Sequence, residues 1–313
     1  MIFEQHEGTG DQAFPLLFEP FLFNEPRHLA GQCQPGDRPL AFSLRNAEGI
    51  LVRLSVFITE GKAVSPRRAT FGGLEAAEQV TTEILIDFLA KVLYALQRDI
   101  SFLSVTQYPE ALSPEASLRI REALLATGFR LANRDLNYHI PVSAAPPENR
   151  FHRGERWKTR KAAKMGFVFR EITSPEPEVL QQFVIRARER KGQRITLFPG
   201  LFQGLFQGFP EDINAFGVFD NEQLIALAVI IRLSKDTVYT FHLADDGDYA
   251  RYSPTVFLVQ GLYGWCHTHG YRILDLGIAT DQGEPNEGLI RFKKNLGAEE
   301  SEKNTFTYRF GEK

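Results

Sequence analysis

Sulfur is scarce in this chain: 313 residues carry two cysteines and two methionines. Cys33 and Cys266 stand far apart and supply no disulfide framework of the kind that staples small secreted domains. A metal-ligand spacing is missing too. Cys266, His267 and His269 fall on one predicted helix, only Cys266 and His269 share a face of it, and no further ligand cluster accompanies them, so no metal is expected. Long apolar runs are missing: the longest, Leu224 to Ile231, is eight residues, against about 20 for a membrane-spanning helix. The start, Met1 to Glu7, has neither the basic residues nor the apolar core of a secretion signal. A large excess of either charge is absent as well, with 36 Lys and Arg against 39 Asp and Glu, a net charge of −3. Any surface for nucleic acid must therefore be local. These absences leave a cytoplasmic protein without a membrane span as the expectation; nothing in them speaks to oligomeric state.

What is present is ordinary globular material, 43% hydrophobic and 24% charged, with 26 phenylalanines. The length suits about two domains, each large enough for its own core. The chain reads as if written twice. Ala41–Leu51 lines up with Ala215–Ile225, 174 positions later; Phe102–Val105 with Ile273–Leu276 at an offset of 171; and Gly128-Phe129 with Gly297-Ala298 at 169. A period near 170 is far beyond the roughly 20–50 residues of a solenoid repeat, so it marks two copies of a whole domain.

In the first copy, residues 40–44 and 50–59 read as strands joined by the turn-prone Asn46-Ala47-Glu48-Gly49. Residues 80–98 carry apolar residues at helical period, 101–106 form a short strand, Ser113-Pro114 opens a helix, and 129–142 is strand-like. The second copy repeats this with strands at 214–219, 223–233 and 237–243, a helix over 255–269, a strand at 272–276, a helix over 287–296 and a closing strand pair over 298–310. The mixed order predicts an α/β (α+β) fold built twice, each domain a mixed, largely antiparallel sheet flanked by helices. The expected boundaries are 1–147, a basic linker helix over 148–166, and 167–313. From Arg150 to Arg170 eight basic residues stand against one acidic residue, Glu155.

Three stretches carry a resemblance to a known family. They are the basic helix Arg156–Gly166; Tyr252-Ser253-Pro254 opening a helix that leads to Gly270-Tyr271-Arg272-Ile273-Leu274-Asp275-Leu276-Gly277; and the ending Gly288-Leu289-Ile290-Arg291-Phe292-Lys293-Lys294-Asn295-Leu296-Gly297. With the duplication, they resemble the tandem form of the GNAT (acyl-CoA N-acyltransferase) fold, more narrowly the FemABX-like and BioF2-like transferases. The resemblance implies transfer of an acyl or aminoacyl group from an activated donor, acyl-CoA or aminoacyl-tRNA, to an amine acceptor, a small molecule or peptidoglycan precursor, with no permanently bound cofactor. One departure bears on the donor. Ordinary acetyl-CoA-dependent members hold the pyrophosphate on the amides of a glycine-spaced loop at a helix start; here that loop reads Ala244-Asp245-Asp246-Gly247-Asp248 and ends on Ser253-Pro254. It is acidic and lacks the glycine spacing, which fits an aminoacyl-tRNA donor, while a thioester donor stays open.

Amine attack on an ester or thioester needs a positioned amine, a proton acceptor and oxyanion stabilisation. Asp275, inside the apolar strand Ile273–Gly277, is a candidate for holding or deprotonating the amine; its plainer reading is a structural carboxylate. Lys293 matches the lysine of the family ending and is a candidate for phosphate or oxyanion neutralisation, against a solvated basic face shared with Arg291 and Lys294. His242 is a candidate base, expected to face away from Tyr239 because the two are an odd number apart on one strand; Tyr308 is a weaker proton donor. By resemblance Arg251, Tyr252, Ser253, Thr255, Lys294 and Asn295 are candidates for the donor. Arg156, Trp157, Lys158, Arg160 and Lys161 combine charge with an aromatic ring suited to phosphates or tRNA, extended by Arg186, Arg188, Arg190, Lys191 and Arg194. Phe198–Phe209 is a candidate mobile groove lining or plug. The first copy has Ser104 where the second has Asp275, so chemistry is expected in the second copy and a scaffolding or acceptor role in the first. The competing reading is a non-catalytic ligand- or tRNA-binding protein whose phosphate loops have decayed.

Overall fold

The structure, a computed structural model, describes residues 1–10, 13–195, 197–281 and 283–311. In chain order it contains β1 (Ile2–Glu7), α1 (Pro26–Gln32), β2 (Arg38–Arg45), β3 (Ile50–Thr59), β4 (Lys62–Ser65), β5 (Leu74–Ala76), α2 (Thr82–Leu96), β6 (Phe102–Thr106), α3 (Pro114–Ala126) and β7 (Arg130–Pro141). There follow α4 (Arg153–Lys164), β8 (Val168–Glu171), α5 (Pro177–Arg190), α6 (Leu201–Gly208), β9 (Ile213–Asp220), β10 (Gln223–Arg232), β11 (Thr237–Asp245), α7 (Pro254–Thr268), β12 (Ile273–Ile278), the short β13 (Thr280–Asp281) and β14 (Glu284–Pro285), α8 (Glu287–Asn295) and β15 (Glu299–Arg309).

The chain divides into two compact units. The first holds Met1–Asn137, Thr280–Glu284 and Ser301–Lys313, and the second holds Tyr138–Ala279 and Pro285–Glu300. In the first unit the strands run β1-β2-β3-β4-β6-β15, with β5 beside β3. Local chemistry starts it. The Asn46 side-chain oxygen accepts from the Glu48 and Gly49 N–H groups at 2.8 and 3.0 Å, closing the β2–β3 turn. The β2–β3 and β3–β4 pairs are antiparallel, and β4 pairs in parallel with β6. Between them α2 is capped by the Thr81 side chain at the Ile84 N–H and buries Leu85, Phe88, Leu89, Val92, Leu93 and Leu96 on one face, the period seen in the sequence.

The second unit repeats the scheme. Its strands run β7-β12-β11-β10-β9-β8, with β9, β10 and β11 an antiparallel meander and β11 parallel to β12 through α7. One face of this sheet packs on α7 around Phe216, Val218, Ala226, Ala228, Val238, Leu274 and Leu276. Gly261 of α7 lies so close to β8 that a Cβ there would meet the Phe169 ring at 2.3 Å, and Phe169 stacks on Phe216 at 5.5 Å. Only glycine lets the helix approach that far.

Three expectations need correction. The closing segment 298–310 is one strand, β15, and most of it belongs to the first unit, where its residues Thr305–Arg309 pair with β6. The end of β7, from Tyr138 on, belongs to the second unit. The basic helix is not a free linker: α4 is part of the second unit, where the His152 N–H before it donates to the Asn295 carbonyl at 2.8 Å. No helix among the described residues is long and apolar enough to cross a membrane.

Candidate functional site

In the second unit, β11 and β12 pair only from Thr237/Ile273 to Tyr239/Asp275, although β11 continues to Asp245 and β12 to Ile278. Beyond that point the two parallel strands part. Buried backbone groups released from a ladder need other partners, and side chains supply them. The Thr240 hydroxyl donates to the Asp275 carbonyl at 3.0 Å. The Asp275 carboxylate accepts from the Gly277 N–H at 2.9 Å. The Lys293 ammonium, arriving from α8, donates to the Gly277 and Ile278 carbonyls, both at 2.8 Å. Gly277 itself has φ +73° and would press a Cβ against the Tyr239 ring at 3.2 Å.

The structure thus brings Asp275 and Lys293 together, and buries both. Lys293 is not on a solvated basic face. Its burial pushes its pKa down to about 7, opposed in part by the Asp275 carboxylate. Its neighbour Lys294 does face solvent and pairs with Glu300 at 3.1 Å. Both ammonium groups lie over the Tyr138 ring, at 5.9 and 5.8 Å from its centroid, and the Tyr138 hydroxyl donates to Glu300.

His242 departs from expectation. The β10–β11 register pairs Val229 with His242 but Ile230 with Thr240, so Phe241 is an extra residue in β11. A bulge of this kind reverses the alternation beyond it. Tyr239 and His242 therefore share a face, where Arg188 of α5 approaches both: its guanidinium is 3.4 Å from His242 Nδ1, and Tyr239 acts on its charge. The imidazole is packed against Phe241 and Phe202. Burial, then Arg188, lowers its pKa to about 3, so it is neutral near pH 7 and a weak base. Tyr308 lies in the first unit, packed on Phe129 and Phe310.

The donor candidates divide. Arg251 stacks on Tyr252 at 4.7 Å, and Lys161 of α4 reaches the same ring at 5.2 Å. Ser253 has φ +53°, Pro254 brings no N–H, and the Val256 N–H is taken by the Ser253 carbonyl at 3.0 Å; Thr255 stands between them. This helix start offers an anion fewer free amides than a usual phosphate-binding turn. Asn295 is spent inside the fold, donating to Glu155 at 3.4 Å. The acidic loop before α7 is neutralised from α5: Lys191 pairs with Asp245 and Arg190 with Asp246. Arg190 and Lys191 therefore do not extend the basic surface, and Arg188 is turned to β11.

That surface is carried by α4. The helix buries Glu155, Thr159 and Ala162 and exposes Arg153, Trp157, Arg160 and Lys164, which recur on one side of it. Lys158 is tied to Glu155 at 2.9 Å, and Lys161 lies 5.3 Å from the Trp157 ring, which is 62% exposed. Arg156 is half-buried on the same helix. Within Phe198–Phe209, residues 201–208 form α6, and Phe202 is buried against His242, so this part is packed helix.

The matching place in the first unit is shut. There β4 pairs with β6 along its whole length, Lys62/Phe102 to Ser65/Val105. The segment after it folds back: the Gly73 N–H donates to Ser65 Oγ at 3.0 Å, and the Gln107 amide both accepts from the Leu74 N–H and donates to the Leu74 carbonyl, at 3.1 and 2.6 Å. A Cβ on Gly73 would lie 2.1 Å from Gln107 Oε1. Gly72-Gly73 and Gln107 are the residues that make this closure, and neither has a meaning in the sequence outside the fold.

Residues 149–294 match the family model of an acetyltransferase (GNAT) domain. Among solved structures, FemX is similar over 94% of this chain and 94% of its own, with a TM-score of 0.71 at 15% identity. A tandem GNAT protein from the clavulanic acid biosynthesis pathway is similar over 100% of both chains, with a TM-score of 0.55 at 11% identity. The L-PGS structure from Bacillus licheniformis is similar over 88% of this chain and 85% of that one, with a TM-score of 0.55 at 10% identity. No curated protein matches the sequence.

Proposed function

From a tandem GNAT, FemABX-like fold, we propose that the chain is an acyl- or aminoacyl-transferase whose reaction centre is the opening between β11 and β12. The observation that carries this reading is the parting of these strands after Tyr239/Asp275, held by Thr240, Asp275 and Lys293, where the first unit is closed. An acyl carbonyl entering such an opening faces the edge of β11 past Tyr239, which no longer pairs with β12, and N–H groups fixed along a strand edge are the kind of donor that stabilises a developing oxyanion. Asp275 and Lys293 act here as positioning residues: they shape the end of β12 and set one buried positive charge beside it.

The donor is an aminoacyl ester of tRNA in preference to a CoA thioester, and the acceptor is the amine of a small molecule or a cell-wall precursor. Two features support that choice of donor. The α7 start presents few free amides to a pyrophosphate, and α4 displays cations and an aromatic ring suited to a polynucleotide backbone. The test is transfer by the purified chain from total aminoacyl-tRNA and, separately, from acetyl-CoA to a panel of primary amines. Product with aminoacyl-tRNA that disappears in Lys293→Ala and Asp275→Asn is the expected result. Full activity in both variants overturns the site, and tRNA binding without turnover by the wild type makes the chain a binding module instead.

A further inference from the structure

Aminolysis needs a proton acceptor, and the side chains described so far do not supply one. His242 is sealed between Phe202 and Phe241 beside a guanidinium. Asp275 and Lys293 are buried and committed to the backbone of β12. On the other side of Asp275 stands β7, the neighbour of β12. The Val142 N–H just after β7 donates to the Arg272 carbonyl just before β12 at 2.8 Å, so the end of one strand meets the start of the other and the pair is antiparallel. Counting inward sets Ile140 opposite Leu274 and His139 opposite Asp275. The phase is confirmed by packing, because Ile140 and Leu274 both belong to the core around α7. His139 and Asp275 therefore point to the other face, with Tyr239 opposite Asp275 on its second flank.

His139 differs from the other ionisable groups of this row. It is only partly buried, and its Nδ1 has no hydrogen-bond partner among the described residues. His242 Nε2 is likewise without a partner among the described residues, so what separates the two rings is access: His242 is buried and His139 is partly open. Its charged surroundings are Asp275 on β12, Glu299 at the start of β15, and Arg150 before α4. Burial holds its pKa below the ordinary imidazole value despite the two carboxylates, which leaves a neutral ring at pH 7.

We propose that His139 is the catalytic proton acceptor of the transfer, with Asp275 beside it to stabilise the imidazolium; this rests on the transferase reading above. The acceptor amine attacks the donor carbonyl carbon, the new C–N bond forms, and the amine proton passes to His139. Collapse breaks the donor C–O bond, and the departing ribose oxygen takes the proton back, giving an amide and a free hydroxyl with the imidazole restored.

Two measurements on the full chain test this. In transfer from total aminoacyl-tRNA to glycinamide, lysine and ethanolamine, His139→Gln should lose about 10²-fold or more in kcat. The acid limb of the wild-type profile below pH 6.5 should vanish, and added imidazole should restore activity to His139→Gly. In ¹⁵N-histidine NMR titrations, Asp275→Asn should lower the His139 pKa and Arg150→Gln should raise it. An active wild type with an unchanged rate and pH profile in His139→Gln overturns this role and leaves the transferase reading standing. A wild type inactive with every donor, including acetyl-CoA, overturns both. A His139 pKa that Asp275→Asn does not move overturns the pairing whatever the activity.

Discussion

Lys293 Nζ lies 2.8 Å from both the Gly277 and the Ile278 carbonyl oxygens, so one side chain of α8 satisfies two successive carbonyls at the end of β12, beyond its pairing with β11. The relationship explains why a buried lysine is present at all. Desolvating an ammonium is costly, and two charge-assisted hydrogen bonds and the nearby carboxylate of Asp275 offset only part of that cost, so the pKa still falls to about 7.

Lys293→Met should therefore destabilise the protein, by about 3–5 kcal/mol, the usual scale for removing one partner of a buried charged group. It takes the Lys293 donor from two buried carbonyls and removes a positive charge that acts on Asp275. Urea unfolding checks this. A change under about 1 kcal/mol, with transfer intact, would show that β12 holds its shape without the lysine.

The same lysine makes a pH prediction. Its pKa falls from 10.5 to about 7 in the folded chain, so between these values the unfolded state binds more protons. Stability linked to this group then rises as pH goes from 7 to 10.5, and is flat below 7, where both states are charged. His242 behaves alike at lower pH, with a folded value of about 3 against 6.5, and His28 of the first unit falls to about 4. Their contributions are fully present above pH 6.5 and are lost as pH drops through 6.5 toward 3. Thermal melts across pH should show the alkaline rise diminished in Lys293→Met and the acid loss reduced in His242→Leu.

On α4, Arg153, Arg160 and Lys164 are exposed. Reversing all three to glutamate should weaken binding of tRNA by 10-fold or more at low salt and flatten the salt dependence, because each phosphate contact contributes close to one unit of slope. The melting temperature should hardly move, since surface charges away from a tight pair contribute little. Filter binding over a salt series measures the first, and calorimetry the second.

Gln107→Ala in the first unit should cost about 1–3 kcal/mol, because it strips partners from the buried Leu74 N–H and carbonyl. Transfer at a temperature where the variant is folded should remain near the wild-type rate. A collapse of kcat without unfolding would mean that the closed place in the first unit takes part in the reaction.

Much of the fold was legible beforehand, for identifiable reasons. The α2 face, the Asn46 turn and the Ser-Pro helix starts are local signals, and local signals at matching spacing expose a duplication even when identities have drifted. The site was legible in part. Asp275 in an apolar strand and Lys293 in the family ending stand out in the sequence, and the fold sets them near each other; their roles belong to the proposal. The face of His242 was misread because a one-residue bulge at Phe241 has no sequence mark of its own and reverses everything after it. His139 lies on a strand that the sequence order assigns to the first copy, and nothing in its neighbours announces Asp275 across from it.

The sequence by itself determined the repeat, the order of helices and strands, and the local basic helix, because hydrophobic period, turn chemistry and charge act over a few residues. Tertiary structure decided the rest. It settled which unit β7 and β15 complete, where β11 leaves β12, and that Gln107 shuts in the first unit what Lys293 props open in the second. Those outcomes depend on hydrogen bonds between residues far apart in the chain, such as Thr240 with Asp275 and the β15 residues with β6, and no local pattern encodes them.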